Sequence, residues 1–102
     1  MRRIAAFAIA LVLALTTLTP EARADKASDC AAQGEVVAAV VAARQEGIAA
    51  EAAGSQLADT LEGRAADYAP ALPLIIEWVY SLEADQLGSA VAESYEDACK
   101  AQ

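Results

Sequence analysis

An all-α fold is what this sequence predicts: a small bundle of about four short helices, with one disulfide clamping the first helix to the last. Three observations predict it. Alanine dominates, and no stretch alternates apolar and polar residues over strand length. Apolar side chains recur at spacings of three and four, in segments punctuated by Gly47, Gly63, Pro70 and Pro73. Two cysteines, Cys30 and Cys99, stand near the two ends of the region that would form the domain.

Residues 1–24 read as a cleavable signal peptide. Arg2 and Arg3 make a positive start, and Ile4 to Leu18 is an apolar run interrupted only by Thr16 and Thr17. Ala22-Arg23-Ala24 then supplies the small-x-small pattern cut by signal peptidase. The run is short for a span of about 20 residues. Export, to the periplasm or beyond the cell, follows as an expectation, with no membrane span left after cleavage. Residues 25–102 would then form one small helical domain.

The helices follow in order. Ser28 is a good N-cap for a first helix from about Asp29 to Glu46, whose stripe uses Cys30, Val36, Val37, Val40 and Val41. Gly34 permits a close backbone approach there. Gly47 sits where a left-handed C-cap belongs, with Ile48 placed to fold back as in a Schellman motif. A second helix spans about Ala50 to Glu62, with Ala50, Ala53, Leu57, Ala58 and Leu61 on one face, and Gly63 ends it. "GRAADYAP" is a connection with room for a single turn. Pro70 and Pro73 turn the residues before them away from helix, so a third helix starts with Pro73 in its first turn and ends near Leu82. The fourth, about Ala84 to Lys100, has the cleanest stripe: Leu87, Val91, Ala92, Tyr95, Ala98 and Cys99.

The segment "LPLIIEWVYSL", Leu72 to Leu82, is the one dense patch of large apolar side chains after the leader. At about 100° per residue, Leu74, Ile75, Trp78 and Leu82 share one face, and Ile76, Val79 and Tyr80 cover much of the rest. Only Glu77 and Ser81 remain as a polar strip. Such a helix fits a central post on which the others pack. It also fits a contact surface, with Leu74, Ile75, Trp78, Val79 and Tyr80 as candidate partner-binding residues, because Trp and Tyr are the types that anchor interfaces.

Composition excludes several functions. After the leader, 4 basic residues face 14 acidic ones, a net charge of −10. That surface repels phosphate backbones and anionic membranes, so no nucleic-acid partner is expected. The chain has no histidine, which removes Ser-His and Cys-His nucleophile arrangements. Lys26 and Lys100 both lie near the ends of the domain, and no glycine-rich loop is present to cradle a phosphate. No enzymatic activity and no cofactor are therefore expected. An even cysteine count in an exported chain reads as a disulfide, Cys30–Cys99, whose loop of about 70 residues stabilises by roughly 4 kcal/mol in the chain-entropy model.

Carboxylates are the one abundant reactive group. Glu93 and Asp97 lie one turn apart with Glu96 beside them, but their spacing matches no calcium loop, so no metal site is expected. Glu77 is flanked by large apolar residues, and burial there would raise its pKa. Glu77, Glu93 and Asp97 are the candidate pH-sensitive groups.

Cys30, "ARQEG" (residues 43–47), "WVY" (78–80) and "SYEDAC" ending in Cys99 together resemble small exported two-cysteine helical proteins of proteobacteria. That resemblance implies export and a disulfide-bonded helical fold, and supplies no catalytic residue. In size, class and the Cys30/Cys99 pair the chain also resembles the acid-stress chaperones of the bacterial periplasm. The leading expectation is a small exported, non-enzymatic binding protein that contacts an unknown protein partner, or a second copy as a homodimer, through part of the third helix. The alternative is an acid-responsive periplasmic holdase. Below about pH 4 most carboxylates protonate, the net charge turns positive, and repulsion would open the bundle to expose that helix.

Overall fold

The computed structural model describes residues 20–102; the leader expected over residues 1–24 lies outside them up to position 19. Among the described residues there are five helices and no strand: α1 (Pro20–Gln45), α2 (Ala50–Thr60), α3 (Gly63–Ala66), α4 (Leu72–Ser81) and α5 (Ser89–Ala101). Single 3₁₀ turns at Ala69–Ala71 and Ala84–Gln86 lead towards α4 and α5. The Cys30 and Cys99 sulfurs lie 2.06 Å apart, at disulfide distance, and join α1 to α5.

Helix α1 starts well before Ser28, which lies inside it and caps nothing. "EARADKA" is made largely of good helix formers, and Glu21 in the first turn complements the helix dipole. Its other end is as expected. Gly47 adopts φ +81°, its N–H donates to the Arg44 carbonyl at 3.0 Å, and the Ile48 N–H donates to the Ala43 carbonyl at 3.0 Å. Those two bonds are the Schellman pattern. They turn the chain sharply into α2.

Two connections are more broken than the periodicity suggests. α2 ends at Thr60, and Gly63, at φ +59°, opens α3 instead of only stopping α2. The fourth predicted helix is divided at Leu87-Gly88, so α5 begins at Ser89. The preceding turn is held locally, where the Glu83 N–H donates to Gln86 Oε1 at 2.8 Å.

The chain runs up α1, down α2, up α4 and down α5. Arg64, just before α4, pairs with Asp29 early in α1, while Arg44 at the end of α1 reaches Val79 at the end of α4. Cys99 closes on Cys30 and Tyr95 on Gln33, while Ser89 at the start of α5 stands by Gln45 at the end of α1, so α5 runs antiparallel to α1.

The central post is α1, not the "LPLIIEWVYSL" helix. α1 packs against α2, α3, α4 and α5, and Cys30, Val36, Val37, Val40 and Val41 are all buried. Size is the reason: a long helix of Val, Ala and Gly lets neighbours approach on several sides. At Gly34 an added Cβ would stand 3.4 Å from Glu96 Oε2 and 3.7 Å from the Ala92 carbonyl oxygen. The α2 and α5 stripes are narrower than their sequence suggests. Ala53 and Val91 are buried, Leu57, Leu61, Leu87 and Tyr95 half-buried, and Ala58 and Ala98 exposed.

Candidate functional site: the outer face of α4

Pro73 stands in the first turn of α4, where its missing N–H is no loss. The buried stripe of α4 is Leu72, Ile75, Ile76 and Val79, an i, i+3, i+4, i+7 set aimed at α1 and α2. This corrects the face expected from the angular count. Ile75 and Val79 belong to the core and cannot meet a partner, and Tyr80 is committed inside the domain. Its hydroxyl donates to the Ile48 carbonyl at 2.6 Å, and the Arg44 guanidinium carbon lies 6.0 Å from its ring centroid. Burial pushes the Tyr80 phenol above its ordinary pKa, with Arg44 pulling it the other way.

Of the five candidate contact residues, two remain outside. Leu74 is 73% exposed and Trp78 39%, the large hydrophobic side chains most open to water among the described residues. They are one turn apart and form a single ridge. Trp78 leans on α5, its ring 6.0 Å from that of Tyr95 at a tilted angle. Tyr95 in turn donates its hydroxyl to Gln33 Oε1 on α1 at 2.9 Å. The exposed part of Trp78 therefore sits on a braced support. On the other flank an apolar groove of about 350 Å³ opens between α2 and α4, lined by Ala50, Glu51, Gly54, Leu72, Pro73 and Ile76.

Glu77 is exposed between Leu74 and Trp78, not tucked among them, so the burial expected for it is absent. Glu93 and Asp97 are likewise exposed on α5, and Glu96 turns to Lys100, 3.1 Å away. Among the described residues no three acidic or cysteine side chains converge as a metal site. Nor is any of the helices found there long and apolar enough to cross a membrane.

Cations are scarce near the ridge. Arg44 donates to the Val79 carbonyl at 2.6 Å. Arg64 is paired with Asp29 and Lys100 with Glu96, and Lys26 lies by the disulfide with Asp25, Asp29 and Tyr68. Glu51 and Glu77 thus face water without a basic partner among residues 25–102.

Magnitudes limit what the ridge can do alone. Covering the open parts of Leu74 and Trp78 would contribute roughly 2–3 kcal/mol, less than the at least ~4 kcal/mol that association costs in lost motion. A partner held here needs further contacts. Sequence reasoning located the ridge but included Ile75, Val79 and Tyr80. It missed the α2–α4 groove, whose only sequence signal is Gly54 facing Ile76 across 3.4 Å from the position of an added Cβ.

No family model, no curated protein and no solved structure matches the chain.

Proposed function

We propose that this is a small exported binding protein without catalytic activity, which holds a partner protein on the outer face of α4. The observation that carries this reading is the Leu74–Trp78 ridge, two large apolar side chains open to water on a helix whose opposite stripe is fully packed. The lack of histidine and the placement of both domain lysines near its ends support the non-enzymatic part. Cleavage after Ala24 would remove only the first five residues of α1 and leave Cys30 inside the helix. N-terminal sequencing of the secreted or periplasmic product tests that step. A mature chain still carrying residues 1–24 would defeat it.

The contact face is tested by placing a photo-reactive amino acid at Leu74, and in parallel at exposed Ala58 on α2, in the cells that make the protein. Discrete adducts at Leu74 and none at Ala58 are expected. Equal labelling at both positions, or none at Leu74, removes the reading.

The acid-responsive holdase stands second. It draws on the 14 carboxylates of residues 25–102 and on a core in which, among the described residues, no polar or charged side chain is buried. The charge count works against its opening step. Full protonation would take the net charge from −10 to +4, which weakens self-repulsion instead of strengthening it. Protection of an aggregating client at pH 3 but not at pH 7, lost in Leu74→Ser, would restore it to first place.

A further inference from the structure

Resting on the reading of α4 as a contact face, we propose that its occupant is a basic amphipathic helical segment of a partner protein. Apolar residues of that segment cover Leu74 and Trp78 and enter the α2–α4 groove, and its lysines or arginines meet Glu51 and Glu77. Three observations select this occupant. First, the ridge and groove are apolar while the carboxylates beside them, Glu51 at the groove and Glu77 on the ridge, are exposed and form no ion pair with the cations of residues 25–102, which are bonded or placed elsewhere. An incoming cation meets no competitor there. Second, the four cations of residues 25–102 are engaged or placed elsewhere, at Val79 and Tyr80, at Asp29, at Glu96 and beside the disulfide. The domain therefore draws basic segments towards it by long-range attraction and repels acidic ones.

Third, a second copy of this chain fits poorly. Two partly exposed side chains and a shallow groove fall far short of the ~800 Å² per partner of a standard interface. Each copy would also bring a net charge of −10 against the other. A short segment needs much less area, because only one helix face is buried. The groove admits an anchor beside Pro73 and Gly54, and the Leu74–Trp78 ridge stands on the other flank of α4 beyond exposed Glu77, so a segment that takes both crosses α4. This is the helix-in-groove mode of recognition, read as apolar anchors at i, i+3, i+4 and i+7.

Trp78 is the only tryptophan in the chain, so its emission reports directly on this face. The probes are tryptophan-free peptides of about 18 residues with leucine at helical i, i+3, i+4, i+7 spacing and lysine, glutamine or glutamate at every other position. With the lysine peptide a saturable blue shift is expected, weakening as salt is raised. The glutamate peptide should give none, and the glutamine peptide should bind about tenfold more weakly than the lysine one. Leu74→Ser, and separately the pair Glu51→Gln/Glu77→Gln, should each weaken binding about three- to tenfold. Asp59→Asn, an exposed carboxylate near the far end of α2, should change it less than about twofold. These side chains are exposed, and unchanged circular dichroism confirms that each variant folds.

No blue shift with the lysine peptide overturns the proposal. So does equal weakening by Asp59→Asn, which would reduce the effect to diffuse attraction. Equal binding of the glutamine peptide overturns the basic specificity but leaves the contact face standing. Self-association lost in Leu74→Ser would make a second copy the occupant and overturn the proposal in favour of a homodimer. The labelling at Leu74 described above fails or succeeds independently of these outcomes.

Discussion

Reduction of the Cys30–Cys99 bond should remove about half of the stability of the domain. The two cysteines are 69 positions apart, so the bond closes nearly the whole of residues 25–102. In the chain-entropy model a loop of that length takes about 15 cal/mol/K out of the unfolded chain, or roughly 4.4 kcal/mol at 25 °C. A domain of 78 residues has a net stability of only about 4–12 kcal/mol. The core offers little reserve, because most of its members are alanine and valine, with Leu72, Ile75 and Ile76 its largest side chains. The assay is urea unfolding followed by circular dichroism, oxidised against fully reduced, with the Cys30→Ala/Cys99→Ala variant as a thiol-free control. At an m-value of about 1 kcal/mol/M, the midpoint should fall by about 4 M. A fall below about 1 M would refute the loop-closure reasoning. The unfolded chain would then already hold its ends together, with no entropy left for the bond to remove.

Two glycines should respond in opposite senses to alanine. Gly34→Ala should stabilise by about 0.5–1 kcal/mol in the same unfolding assay, because an added Cβ would meet Glu96 at 3.4 Å and the Ala92 carbonyl oxygen at 3.7 Å, ordinary contact distances, and α1 gains helix propensity. Gly47→Ala should destabilise by about 1 kcal/mol or more, because φ +81° is strained for any side chain although nothing lies within 4 Å. Arg44→Met should cost about 1–2 kcal/mol through the lost hydrogen bond to Val79 and the lost ring contact with Tyr80. The Tyr80 phenol should ionise above the ordinary tyrosine range in an absorbance titration, with that step missing in Tyr80→Phe. Its folded pKa lies above its unfolded one. The stability this group contributes is therefore whole below pH 10 and drains away as pH rises through the folded value. Stability of Tyr80→Phe should show a weaker decline over that alkaline range.

How much was legible in the sequence depended on how local each feature is. The Schellman turn at Gly47 and Ile48 was readable because its bonds join residues only three to five positions apart. The apolar stripe of α1 was readable because valine and cysteine recur there at helical spacing. The start of α1 was not legible because Ser28 is as good a cap as any, and residues 21–24, part of the helix-forming stretch before it, also fit the end of a leader. The break at Leu87-Gly88 was hidden by the unbroken periodicity from Ala84 onwards. At the candidate site, the sequence located α4 but not its exposed side. Eight large apolar residues surround Glu77 and Ser81, and each of several stripes drawn through them had a similar claim to the core.

The helical class, the pairing of the only two cysteines and the acidic balance of the domain were determined by sequence alone, because composition, count and short-range spacing suffice for each. Tertiary structure decided which helix stands at the centre and which of the apolar residues in "LPLIIEWVYSL" remain in water. α1 is thin enough to be approached by four neighbours, whereas α4 is covered by α1 and α2 on one side and only braced by Tyr95 on another. Leu74 and Trp78 stay outside because burial is a property of the neighbours a residue meets, and no periodicity in one helix records how many helices will pack around it.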